Sequence, residues 1–212
     1  MVTKPILYSI NAFDASQKST FTFYSTGGNQ VVKNQLTIRN NTTNQVVYQQ
    51  SVDSFKFEHT VPPNTLTNGT YYNAYVTTYD AQGEASSPSD PIQFWCYTQP
   101  TIEFTNLPAN NIINSSSFLF EFTYNQIEGE LLNYYNVILY NSNHVEINNS
   151  GEIYGGQSIK PPVTQTYLLT GLDDKATYYI EIKGYTIYGT YVTTGEILIT
   201  VTYSSPTVFG IL

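Results

Sequence analysis

With 212 residues, the chain has room for two small domains of about 100 residues each. Charged residues make up only 11%, but hydrophobic residues reach 41% and aromatics 15%, with 20 Tyr and 11 Phe, which excludes a disordered chain and supplies a core for each half. The net charge is −8 and the eight Lys and Arg form no cluster, so neither a nucleic-acid backbone nor an anionic membrane surface is an expected partner.

The N-terminus, Met1-Val2-Thr3-Lys4-Pro5-Ile6-Leu7-Tyr8, lacks the long apolar stretch of a signal peptide, and either synthesis in the cytoplasm or a leader removed from this sequence is expected. No apolar run approaches the roughly 18 residues of a membrane span. Cys96 is the single cysteine, so no internal disulfide is available. Five Asn-x-Ser/Thr sequons begin at Asn40, Asn41, Asn68, Asn114 and Asn148 and read as a by-product of Asn richness.

Short strands between turn signals follow in chain order. The first half offers Phe21 to Tyr24, Gln35 to Arg39, Val46 to Tyr48, Ser54 to Phe57, Tyr71 to Tyr79 and Ile92 to Tyr97. The second offers Phe118 to Phe122, Tyr135 to Tyr140, His144 to Ile147, Gln165 to Leu169, Tyr178 to Tyr185 and Glu196 to Tyr203. Counting the strands led by Pro5 and Pro100, that is roughly seven per half, and no stretch has helical periodicity. Alternation puts Tyr72, Ala74, Val76 and Thr78 inward, and likewise Tyr178, Ile180, Ile182 and Gly184. Tyr179, Glu181, Lys183 and Tyr185 then face outward.

A repeat joins the halves. Leu66, Tyr72, Ala74, Val76, Thr78 and Gly83 each recur 106 positions later, as Leu172, Tyr178, Ile180, Ile182, Gly184 and Gly189. Pro206-Thr207-Val208-Phe209 follows Pro100-Thr101-Ile102-Glu103 at the same offset. Residues 206–212 are therefore expected to open a following module, the chain being a fragment of a longer protein, with an unpaired C-terminal extension as the alternative. The expected boundaries are 1–98, 99–205 and 206–212. The linker Tyr97-Thr98-Gln99-Pro100 is very short, which predicts a restricted, elongated arrangement.

A Leu, a polar turn and a Tyr six residues after the Leu resemble the tyrosine corner of fibronectin type III domains. The resemblance implies an all-β fold of two tandem immunoglobulin-like antiparallel β-sandwiches, with Tyr72 and Tyr178 as corner residues beside Leu66 and Leu172. It makes Gly83 and Gly189 the glycines of the turn between the last two strands, where a positive φ is needed. Asp80-Ala81-Gln82-Gly83-Glu84-Ala85-Ser86-Ser87-Pro88-Ser89 is especially close to the family pattern. The family's early-strand Trp is absent, leaving its volume to Phe21 or Phe23 and to Phe120 or Phe122.

Lys4-Pro5-Ile6-Leu7-Tyr8-Ser9-Ile10-Asn11-Ala12-Phe13-Asp14, Leu66 to Tyr72, Ser89 to Phe94 and Gly171 to Asp174 further resemble minor structural proteins of tailed bacteriophages of Gram-positive bacteria. That resemblance implies a virion tail or fibre protein, partnered by other tail proteins and homo-oligomeric in full length.

The residue types that carry chemistry give no site. His59 and His144 fall in different halves and read as solvated strand-edge residues, with no matched metal-ligand spacing. Cys96 shares a face with Ile92 and Phe94 and reads as a buried, inert thiol. The pairs Glu128/Glu130 and Asp173/Asp174 read as solvated turn residues, and Gly27-Gly28 and Gly155-Gly156 as plain loops. No catalytic residue, cofactor or metal is expected. The candidate partner contacts are aromatic: Tyr185, Tyr188 and Tyr191 at one hairpin, and Trp95, expected at the junction of the units or on a partner. The expected function is a non-enzymatic spacer and assembly module. A bacterial surface adhesin or a carbohydrate-binding accessory module is the alternative.

Overall fold

The computed structural model describes residues 2–155 and 160–203; the expectation for 206–212 lies outside them. The chain divides into two compact units, Met1–Gln99 and Pro100–Leu212.

The first unit holds β1 (Ile6–Leu7), β2 (Ser19–Tyr24), β3 (Val31–Asn40), β4 (Val46–Val52), β5 (Glu58–Val61), β6 (Thr70–Asp80) and β7 (Ile92–Cys96). Two antiparallel sheets form, ordered β1-β2-β5 and β4-β3-β6-β7. Alternation builds the layer between them. Along β6 every second residue from Tyr72 to Asp80 is buried, and β3 contributes Asn34, Leu36 and Ile38 from its matching face. Phe21 and Phe23 fill the opposite wall from β2, so both candidates for the missing Trp volume are used.

The second unit holds β8 (Thr101–Phe104), β9 (Ile112–Ile113), β10 (Ser117–Asn125), β11 (Leu132–Tyr140), β12 (Glu146–Asn149), β13 (Ile153–Tyr154), β14 (Val163–Thr170), β15 (Thr177–Thr186), β16 (Tyr191–Thr193) and β17 (Ile197–Val201). One sheet is ordered β14-β10-β8 and the other β12-β11-β15-β17-β9, with β13 on β11 and β16 on β15. Removing the short β9, β13 and β16 leaves the first unit's layout: a three-stranded sheet facing a four-stranded one. Both units are fibronectin type III-like, immunoglobulin-like sandwiches. Phe120 and Phe122 are both fully buried here.

Two expectations need correction. Ser54 to Phe57 is not a strand: Asn34 Nδ2 holds this segment by donating to the Ser54 and Lys56 carbonyls, and β5 starts only at Glu58. His144 belongs to a turn (φ 59°), with β12 beginning at Glu146. The alternation of β11 breaks down at Val137 to Tyr140, where all four residues are buried, because the outer face is covered there as well. A further departure precedes the last strand of each unit. Ser89 and Ser86 hydroxyls accept the Val76 and Thr78 N–H groups, and Thr194 Oγ1 accepts that of Ile182. Side-chain oxygens thus satisfy backbone donors, in the first unit where Pro88 and Pro91 prevent a regular strand.

Candidate functional site

Each unit is closed by a tyrosine. The buried Tyr72 hydroxyl accepts the Thr67 N–H at 2.9 Å and donates to the Thr67 carbonyl at 3.3 Å. The buried Tyr178 hydroxyl accepts the Asp173 N–H and donates to Asp173 Oδ2, each at 3.2 Å. Leu66 and Leu172 are buried in the same two cores. Gly83 (φ 81°) and Gly189 (φ 83°) close turns by donating to the Asp80 and Thr186 carbonyls, in a region where a Cβ is disfavoured. These are scaffold features.

The outer face of each four-stranded sheet carries the aromatics. In the first unit Trp95 stacks against Tyr71 at 6.0 Å and packs on Tyr97 at 5.5 Å. In the second unit four tyrosines stand in one row across four strands, because they are direct register partners: Tyr154 with Tyr134, Tyr134 with Tyr185, Tyr185 with Tyr191. Their ring centroids lie 6.0, 5.0 and 5.4 Å apart. The central pair stacks face to face and the outer two rings tilt away, Tyr154 being 63% exposed. Tyr188 lies at the neighbouring hairpin and is also exposed. Sequence reasoning singled out Tyr185, Tyr188 and Tyr191; Tyr154 was missed because its two-residue strand carries too little pattern to read.

Beside that row lies a polar cluster on the covered part of the sheet. Tyr140 donates to Glu181 Oε2 at 2.8 Å, Thr193 donates to Glu181 Oε1 at 2.7 Å, and Lys183 Nζ donates to the Tyr140 hydroxyl at 3.1 Å. The hydroxyl of Tyr140 and the Glu181 carboxylate hold the Lys183 ammonium above its ordinary range. Glu181 was expected to face outward. It is on the outward face but buried, since these three partners replace its hydration. At the far end His144 stacks on Tyr179 at 4.2 Å and pairs with Glu196, a contact between a turn and a strand that spacing does not reveal.

Two readings of solvated residues are overturned. His59 is 2% exposed, packed beside Phe23, and neither ring nitrogen has a hydrogen-bond partner among the described residues. Glu130 is 4% exposed: Thr186 donates to its Oε1, Gln126 Oε1 accepts its N–H, and the Tyr124 hydroxyl caps its carbonyl. Chain folding about the 126–130 turn puts it under the hairpin rather than outside it. Asp173 and Asp174 serve as turn acceptors for Tyr178 and the Tyr203 N–H. Among the described residues no group of three or more His, Cys, Asp or Glu is arranged to hold a metal ion.

Burial keeps the neutral imidazole of His59 favoured and its pKa low. As pH falls below about 6.5, the ordinary value of a free imidazole, the unfolded chain takes up this proton before the folded one. The stability from a neutral His59 is therefore complete above that pH and is lost as pH drops through the folded-state value. Urea midpoints of the first unit, followed by Trp95 fluorescence, should fall between pH 7 and pH 5. A His59→Leu variant should flatten that slope; an unchanged slope would assign the acid sensitivity elsewhere.

The Cys96 thiol is pushed up to about 12, by burial first and then by the Asp14 charge. At pH 8 it is almost wholly protonated, so a disulfide reagent should label the folded chain far more slowly than the chain in urea. Equal labelling rates would show that the thiol is reached without unfolding.

No protein-family model matches the chain, and no curated protein matches it. Among solved structures, it is similar to the chicken CNTN1 FN1-FN3 domains at 12% identity and a TM-score of 0.42, over 95% of this chain and 68% of that one. A myokine structure aligns over 45% of this chain and 98% of its own, at 14% identity and a TM-score of 0.38. A 1.5-MDa bacterial ice-binding adhesin aligns over 97% of this chain and 67% of its own, at 13% identity and a TM-score of 0.33.

Proposed function

We propose that the protein is a non-enzymatic spacer and assembly module of a bacteriophage tail or tail fibre. The observation that carries this reading is the serial construction: two complete sandwiches of one topology, each with its own core and its own tyrosine closure, follow each other at Gln99 and Pro100. Strands of up to 11 residues give each unit a working length of about 35 Å. Glu130, Glu181 and Asp80 are buried polar side chains that close turns or cover the sheet. The tail assignment draws on the phage-like segments around Lys4 to Asp14, Leu66 to Tyr72, Ser89 to Phe94 and Gly171 to Asp174. Antibodies against the chain, applied to particles released from an induced source culture, should decorate tails, and the protein should co-sediment with the particles. The tyrosine row, exposed at Tyr154 and Tyr191, favours a second reading, a bacterial surface adhesin or carbohydrate-binding accessory module. Decoration of the walls of uninduced cells, with bare tails, would select that reading and overturn the first.

A further inference from the structure

We infer that β4 is a self-association edge, through which a second copy of this chain pairs antiparallel to extend the four-stranded sheet of the first unit. The strand Val46–Val52 lies at the end of the sheet order and, among the described residues, pairs on one side only, with β3. The hairpin bonds at Asn40 set which groups face which way: its N–H donates to the Gln45 carbonyl and its carbonyl accepts the Asn44 N–H. Backbone direction alternates along antiparallel strands. Ile38 and Leu36 therefore turn toward β4, and their partners Tyr48 and Gln50 turn back toward β3. Gln49 and Ser51 point their N–H and C=O groups outward.

Sheet edges in folded proteins are guarded by charge, proline, brevity or a bulge. Three of the other edges show these guards. The four-residue β5 runs into Pro62-Pro63, β7 follows Pro91, and the four-residue β12 begins with Glu146. On β4 the sequence Val46-Val47-Tyr48-Gln49-Gln50-Ser51-Val52 contains neither charge nor proline, and the single register shift lies near its start, between Ile38 and Arg39 of the partner strand. From Tyr48 to Val52 the edge is regular.

That regular segment matches its own reversed copy. A two-fold axis at Gln50 sets Tyr48 opposite Val52, Gln49 opposite Ser51, and Gln50 opposite Gln50. The aromatic meets a β-branched residue, a favoured cross-strand pair, and the amides meet hydrogen-bonding partners. No like charges are brought together, despite the chain's net charge of −8. Faces agree as well: Tyr48 and Val52 lie on the side of Ile38 and Asn34, so the core-facing surfaces of both copies stay on one side. The other long uncharged edge, β14, fails this comparison. Paired with its own copy about Thr166 or Tyr167, it sets the exposed Leu168 against Thr164 or Thr166. A closed two-fold interface follows at β4. The inference does not rest on the tail assignment, since its test reads association of the chain itself.

The test is sedimentation of the 212-residue chain over a concentration series, with amide hydrogen exchange on the same samples. A concentration-dependent dimer is expected, with the Gln49 and Ser51 amides slowing as it forms. Ser51→Pro removes an outward N–H that β3 does not use, and Gln50→Lys brings two ammonium groups together on the axis. Each should weaken the dimer more than about tenfold while Trp95 fluorescence reports a folded first unit. Thr166→Lys on β14 should leave association unchanged. A monomer at every concentration overturns the inference. So does a dimer whose Gln49 and Ser51 amides exchange unchanged, and so does slowing confined to β14, whether the partner there is a second copy or another protein.

Discussion

Phe21→Ala should cost the first unit about 3–5 kcal/mol, the range for removing a fully buried phenyl ring and leaving a cavity. Phe21 is fully buried and meets Phe94 edge to face at 5.2 Å and Phe13 at 6.4 Å. These rings come from β2, β7 and the segment before β2, so the cavity opens between the sheets where neither can collapse alone. Two aromatic contacts go with the ring, each worth about 0.5–1.5 kcal/mol beyond area. The chain's one tryptophan, Trp95, lies next to Phe94 and makes the measurement specific to this unit. Its fluorescence in a urea series should show the midpoint displaced by a large part of the unit's total stability, since whole domains hold only about 5–15 kcal/mol. Phe55→Ala is the contrast. Phe55 is 67% exposed, and the change should stay within about 0.5 kcal/mol. Equal losses in the two variants would mean that Phe21 is not part of the core.

Tyr72→Phe should destabilise the first unit by about 1–3 kcal/mol, and Tyr178→Phe should cost the second unit less. The ring volume is retained in both, so the loss is confined to the hydroxyl. At Tyr72 that hydroxyl serves two backbone groups, the Thr67 N–H and the Thr67 carbonyl, and both are left without their partner. At Tyr178 one of the two partners is the side-chain carboxylate of Asp173, which can rotate to other donors, whereas the Thr67 carbonyl is fixed in the backbone. Trp95 fluorescence reads the first variant. Exchange of the β15 amides reads the second. A larger loss at Tyr178 than at Tyr72 would contradict this account of the two closures.

The periodic features were readable from the amino-acid sequence because they follow from local rules. Alternation from Tyr72 to Thr78 and from Tyr178 to Ile182 marks the buried faces, and the Leu-to-Tyr spacing repeats at 106 residues. Gly83 and Gly189 were legible because a turn with positive φ selects glycine. The burial of Cys96 was legible from its place in the Ile92, Phe94, Cys96 alternation.

What the sequence left open are pairings between segments far apart along the chain. His59 has the neighbours of a surface strand, Glu58 and Thr60, and only the facing sheet makes it a buried imidazole. Glu130 and Glu181 are carboxylates in turn and outward-strand positions, and their burial depends on Thr186, Thr193 and Tyr140, up to 56 residues away. Ser86, Ser89 and Thr194 stand in for strand pairing, which no local pattern announces. The tyrosine row is a matter of register across four strands, and the bare edge of β4 a matter of which strand ends the sheet. Side-chain alternation is fixed residue by residue, whereas register, edges and the cover over a charge are set only when distant segments come together; that is why the sequence alone determined the apolar faces of the core, and the tertiary structure decided the tyrosine row, the free edges and the buried charges.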